Sequence, residues 1–146
     1  MDEVATDYTN QPNQCSAVLL VAYNNSFVIL SILKKHFMHL KSFPFQTVNW
    51  SNITREEHDG VNGKAYWQIF MMGDIRVRMV EYTAGYLANH WCKKGHIILC
   101  LEGEMETALE DGRKFILSTG MSYHVGDDCE AHRSLTKNGC RLFIVD

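Results

Sequence analysis

The apolar positions of this chain change rhythm near Met38. From there to Asp146, short apolar runs recur, each closed by turn residues. "AYWQIFMM" ends at Gly73-Asp74, and "IRVRMVEY" alternates through Ile75, Val77 and Met79, the period of a half-buried strand. Then follow "HIILCLEG", "EMETALE", "RKFIL", "TGMSYHV" and "CRLFIVD". Asp111-Gly112 between two alternating segments predicts a two-residue hairpin turn with both residues at positive φ. No segment keeps a helical period over three turns. Many short strands with regular turns predict a sandwich or barrel. In "IRVRMVEY", Arg76, Arg78 and Tyr82 share a face that is expected to lie outside the barrel.

Residues 1–37 read differently. The span Ala17–Leu33 is apolar, interrupted by Asn24, Asn25 and Ser26. It sits at the low edge of the ~17–25 residues that a spanning helix needs. Asp2, Glu3 and Asp7 precede it without any Lys or Arg, so the charged start of a secretory signal is missing. Lys34 and Lys35 could flank a membrane segment. Three readings stay open for residues 1–37: a poorly ordered, irregular or partly helical extension; a weak membrane anchor through residues 17–33; or a stretch the functional protein does not need, with Met38 as an alternative start. Residues 38–146 are the expected barrel domain.

At 146 residues, with 46% hydrophobic and 21% charged positions, the chain has the composition of one globular domain. The net charge is -3, and basic residues do not gather, so nucleic acid is not an expected partner. Five cysteines, at positions 15, 92, 100, 129 and 140, form no CxxC pair. An odd, irregular set argues against a disulfide scaffold and for a reducing, cytoplasmic setting. Cys100 and Cys140 lie in strand-like runs and read as small buried hydrophobes.

The densest chemistry is "GYLANHWCKKGH", Gly85 to His96, which holds His90, Cys92 and His96. It resembles the first conserved motif of cupins, G-x5-H-x-H-x3,4-E-x6-G; the spacing from His90 to Gly103 fits, and the opening spacer is one residue short. "GMSYHVGDDCEAHRS" is similar to the second cupin motif and brings in His132. With the terminal "LFIVD", these stretches look more narrowly like the small cupins named for a DHCW motif, over roughly residues 40–146. Cys92 stands where cupins place a second histidine, His96 where they place a glutamate, and Asn89 where the narrower family has Asp. The resemblance implies an all-β, single cupin-type jelly-roll barrel and a metal site of His90, Cys92, His96 and His132.

Strand alternation turns His90 and Cys92 to one face. His96 follows a "KKG" turn, where Gly95 is expected to supply unusual backbone angles. Three imidazoles and a thiolate suit a divalent metal, Zn²⁺ first, with Fe, Cu or Ni as lesser alternatives. If only three ligands converge, His96 or Cys92 is the expected outlier. Cys92 as a nucleophile with a histidine base is a rival reading. His124 is expected to face solvent or support a ligand, and His58 to lie on a surface loop. Glu102 either supports a ligand histidine or is surface charge.

The expected function is metal binding with a barrel-mouth pocket for a small-molecule ligand, and a metal-dependent enzyme is one form it would take. Alternatives are a non-catalytic binding or sensor module with structural Zn, and a jelly-roll interaction protein with a vestigial site. A homodimer stays open, and membrane contact is expected only if residues 17–33 anchor.

Overall fold

A computed structural model of the chain describes residues 18–23, 26–31, 40 and 42–146. The chain divides into two compact units, Met1–Leu40 and Lys41–Asp146. In the first, β1 (Val18–Tyr23) and β2 (Ser26–Ser31) pair antiparallel, with a register running from Val18↔Ser31 to Tyr23↔Ser26. This corrects the irregular or partly helical extension over those twelve positions. Val18, Val21, Phe27, Val28 and Ile29 are residue types that favour extended backbone. The spanning helix considered for residues 17–33 is likewise replaced by strands at 18–23 and 26–31. Among the described residues no helix is long and apolar enough to cross a membrane. The rest of the 1–37 reading, and Cys15, lie outside the described residues.

Among the described residues of the second unit, strands are joined by loops and turns, and the one helical element is a short 3-10 turn, Trp50–Asn52, capped by the Asn49 side chain. Its strands are β3 (Glu56–Asp59), β4 (Lys64–Met72), β5 (Ile75–Tyr82), β6 (His96–Leu109), β7 (Lys114–Ser118), β8 (Ser122–Val125), β9 (His132–Leu135) and β10 (Cys140–Val145). They hydrogen-bond in the order β3-β4-β5-β10-β6-β7, with β8 and β9 also on β6. The expected His58 loop is therefore strand β3, and His58 stacks on Trp67 with ring centroids 4.0 Å apart.

β6 organises the barrel. "HIILCLEG" and "EMETALE" are one strand of 14 residues. Its first half pairs with β10 and β8, its second half with β7 and β9. Between the halves Arg141 pairs with Glu102 and Leu142 with Cys100, so Leu101 is an extra residue, a β-bulge. The bulge reverses which positions face inward. His96, Ile98 and Cys100 are buried before it; Met105 and Thr107 are buried after it. Gly103 (φ 76) completes the bend, and a Cβ there would sit 2.5 Å from the Gly139 carbonyl.

The core is the inner face of this sheet: Val80, Leu142 and Cys100 form one cross-strand row, and Arg78, Ile144 and Ile98 the next. Cys100 and Cys140 are buried and free, as expected. The β6–β7 hairpin turns at Asp111-Gly112, but only Gly112 (φ 93) has positive φ, and Leu109 N–H bonds the Arg113 carbonyl. The turn is thus longer than the two-residue type expected. The "IRVRMVEY" face expected outside is also corrected: Arg78 and Tyr82 are buried.

Candidate metal centre and pocket

Three local arrangements bring the site together. Cys92 and His132 are directly opposed and exchange both backbone hydrogen bonds, at 2.8 and 3.0 Å. Opposed residues of an antiparallel pair share a face, so both side chains point inward. His96 opens β6 on its inward parity. The chain between Cys92 and His96 turns beside the 126–128 loop, where a Cβ on Gly95 would lie 2.6 Å from the Asp127 amide nitrogen. Gly95 is needed there for this close approach, and not for the unusual φ expected of it.

Cys92, His96 and His132 each place a ligand atom within 4.8 Å of the other two, and both imidazoles are buried. His90 is outside this cluster. It is exposed, on a bend rather than a strand, and its Nδ1 contacts the Asn89 side-chain oxygen at 2.7 Å. The alternation argument failed because residues 89–91 are not strand, and from there to Gly95 only Cys92 makes a β-bridge. The expected outlier, His96 or Cys92, is thus corrected to His90. His124 and Glu102 are exposed.

The hydrogen bonds set the lone pairs. His132 Nδ1–H donates to the Glu130 carbonyl at 2.8 Å, which leaves Nε2 of the neutral ring as the lone pair. That Nε2 lies 2.7 Å from His96 Nε2, and the Tyr123 hydroxyl is 3.3 Å from His96 Nε2. His96 Nδ1 is buried without a hydrogen-bond partner. The Cys92 thiol is held below its usual range, chiefly by its hydrogen bond with His132, and the same contact raises His132. Burial, with the neighbouring His132 second, pushes His96 down to about 4.

This donor set fits a metal. Two imidazoles and an easily deprotonated thiol are borderline-soft ligands. Two nitrogens on one tetrahedral Zn²⁺ stand about 3.4 Å apart, so the two rings need separate by less than about 1 Å to admit an ion. In the metal-free chain, His96 also sets a pH limit. Its folded pKa lies below the ordinary value near ~6.5, so its contribution to stability is present above ~6.5 and lost as pH falls through about 4. A loss of roughly 2 kcal/mol between pH ~6.5 and ~4 is expected in urea titrations. Unchanged loss in His96→Gln would contradict that assignment.

Sequence reasoning preferred Arg78 outside the barrel over lining the pocket, and gave Asp146 and Tyr123 no part in the site. Arg78 lies with its guanidinium 4.7 Å from the Trp67 ring centroid. Asp146 accepts two hydrogen bonds from Arg76 and one from Arg78, at 2.6–2.9 Å. Extending the β10 register one step places Asp146 between Arg76 and His96. Burial pushes the Tyr123 phenol well up, so it stays a neutral donor. The alternation of "IRVRMVEY" was the available signal for Arg78, once its polar face was taken as inward.

A cavity of about 220 Å³ opens beside the cluster. Thr107, Tyr123 and His132 form its polar end, and Leu109, Phe115 and Val125 its apolar wall. Arg113, Glu130 and His124 complete the rim.

No family model and no curated protein sequence matches the chain. Solved structures do. A predicted oxalate decarboxylase from Thermotoga maritima superposes with a TM-score of 0.59 at 16% identity, covering 68% of this chain and 96% of that one. A sugar phosphate isomerase from a cupin superfamily, from Silicibacter pomeroyi, gives 0.58 at 11% identity, over 68% and 74% of the two chains. An RmlC-like cupin from Shewanella frigidimarina gives 0.57 at 15% identity, over 70% and 89%. Together with the all-β topology in which β6 serves both halves of the sheet, these likenesses show that the chain has the fold of the cupin superfamily.

Proposed function

We propose that the protein is a metal-dependent enzyme acting on a small molecule, with Cys92, His96 and His132 holding one divalent ion. Zn²⁺ is preferred to Fe, Cu or Ni, because thiolate and imidazole together favour it. The observation that carries the reading is the convergence of three donor atoms within 4.8 Å beside a cavity that His132 also lines. Three protein ligands leave a fourth position open, which is the pattern of catalytic rather than structural Zn sites. The ion would supply Lewis acidity or an activated water. The Glu130 carbonyl keeps the His132 lone pair on Nε2, and the Tyr123 hydroxyl stands ready to donate to a ligand oxygen. The narrower likeness to small cupins named for a DHCW motif rests on sequence and agrees with this reading. The free thiols of Cys92, Cys100, Cys129 and Cys140 suit a reducing, cytoplasmic setting.

A second reading has one specific support, the lowered Cys92 thiol against His132, which is also how a cysteine nucleophile is activated. Metal analysis of tag-free protein separates the two. About one Zn²⁺ per chain is expected in the full chain and in residues 38–146, which we take to carry the whole site. Metal-free protein with a rapidly alkylated Cys92 would transfer the site to the nucleophile reading. Metal in the full chain alone would show that residues 1–37 are integral.

A further inference from the structure

We infer that the protein walls of the cavity beside Cys92, His96 and His132, taken without a bound metal, select a small uncharged molecule with one oxygen-bearing end and an apolar body over phosphates and carboxylates. This rests on the functional reading above for its metal, but its argument is about the cavity walls. Anion recognition in a pocket needs an uncommitted cationic donor, since burying an unpaired carboxylate costs several kcal/mol. Arg113 is the only Lys or Arg in the lining. It is already held by Asp111, at 2.7 Å, and by Glu130. Behind the metal ligands, Arg76 and Arg78 both bind the Asp146 carboxylate, whose side chain is 1% exposed. Arg113 faces two carboxylates, and neither Arg76 nor Arg78 lines the cavity.

The polar end matches a single neutral oxygen. Thr107 is 3% exposed, and its hydroxyl has no hydrogen-bond partner of good geometry, although Tyr123 is its neighbour. A buried hydroxyl in that state is stabilised by a ligand that accepts from it or donates to it. The remaining wall is Leu109, Phe115 and Val125. Phe115 pairs with Thr107 across β6 and β7 and is 51% exposed, so a ligand body seated on it would cover an otherwise open aromatic ring.

Benzyl alcohol, benzoate and toluene test this as probes of one ring with different ends. Binding is measured by calorimetry or ligand-observed NMR at about pH 8, where free imidazole is neutral, on the full chain after chelation and again after reloading with Zn²⁺. Benzyl alcohol is expected to bind the chelated chain about tenfold or more tighter than benzoate. Thr107→Val should weaken benzyl alcohol by about threefold or more and leave toluene unchanged. Asp111→Asn combined with Glu130→Gln releases Arg113, and should raise benzoate affinity by about tenfold. Benzoate equal to or tighter than benzyl alcohol on the chelated chain overturns the inference, as does the absence of binding by any of the three probes. Metal content is measured separately. A chain that takes no Zn²⁺ yet keeps the preference for benzyl alcohol refutes the metal reading and supports the pocket. A chain that takes Zn²⁺ but prefers benzoate after chelation does the reverse.

Discussion

Replacing Cys92 by Ser is expected to lower Zn²⁺ affinity by about 100-fold or more, since even residues that only support a ligand cost ~10–100-fold when changed. A hydroxyl is harder than a thiolate and does not deprotonate near neutral pH, so the soft component of the donor set disappears. Cys92→His should retain more affinity, because imidazole suits the same ions and Cys92 already faces His132 across a backbone-bonded pair. Metal should also shield the thiol. Alkylation of Cys92 is expected to be slow in the loaded chain and to accelerate with a chelator. Affinity should fall with acidification, because a bound Cys or His must shed its proton. Competition with a chromogenic chelator reads the affinity, and mass spectrometry reads the alkylation. Unchanged metal content in Cys92→Ser, with alkylation indifferent to chelator, would remove Cys92 from the site.

Asp146→Asn is expected to destabilise the chain by about 3 kcal/mol, the scale for removing one member of a buried ion cluster. The Asp146 side chain is 1% exposed and Arg78 is 8% exposed, so the guanidinium left behind has little access to water. The Asp146 carboxyl is pushed up by burial but pulled further down by the hydrogen bond from Arg76 and the charges of Arg78 and Arg76, so its net shift is downward. Stability from Asp146 is therefore full above its unfolded value near ~3.9 and is lost as pH falls through the lower folded value. Adding Arg78→Met to Asp146→Asn should recover part of the loss, because the buried charge is then gone as well. Urea unfolding at neutral pH measures both steps. A loss below about 0.5 kcal/mol, the size typical of surface substitutions, would show that the cluster is solvated.

Alternation in "IRVRMVEY" and "CRLFIVD" determined β5 and β10, because side-chain period is a local property of extended backbone. Motif spacing brought Cys92, His96 and His132 forward together, with His90 beside them. Sequence also marked Cys100 and Cys140 as core, since each sits on the apolar parity of its strand. The tertiary structure decided the rest. His90 was lost from the cluster because residues 89–91 are not strand, and nothing in their spacing says so. The Leu101 bulge, which reverses the inward face of β6, depends on β10 running alongside it. Arg78 went inward because Asp146, 68 residues away, arrives to bind it. A charged residue on an alternating strand reads as outward until its counter-charge is placed, and that placement belongs to the fold.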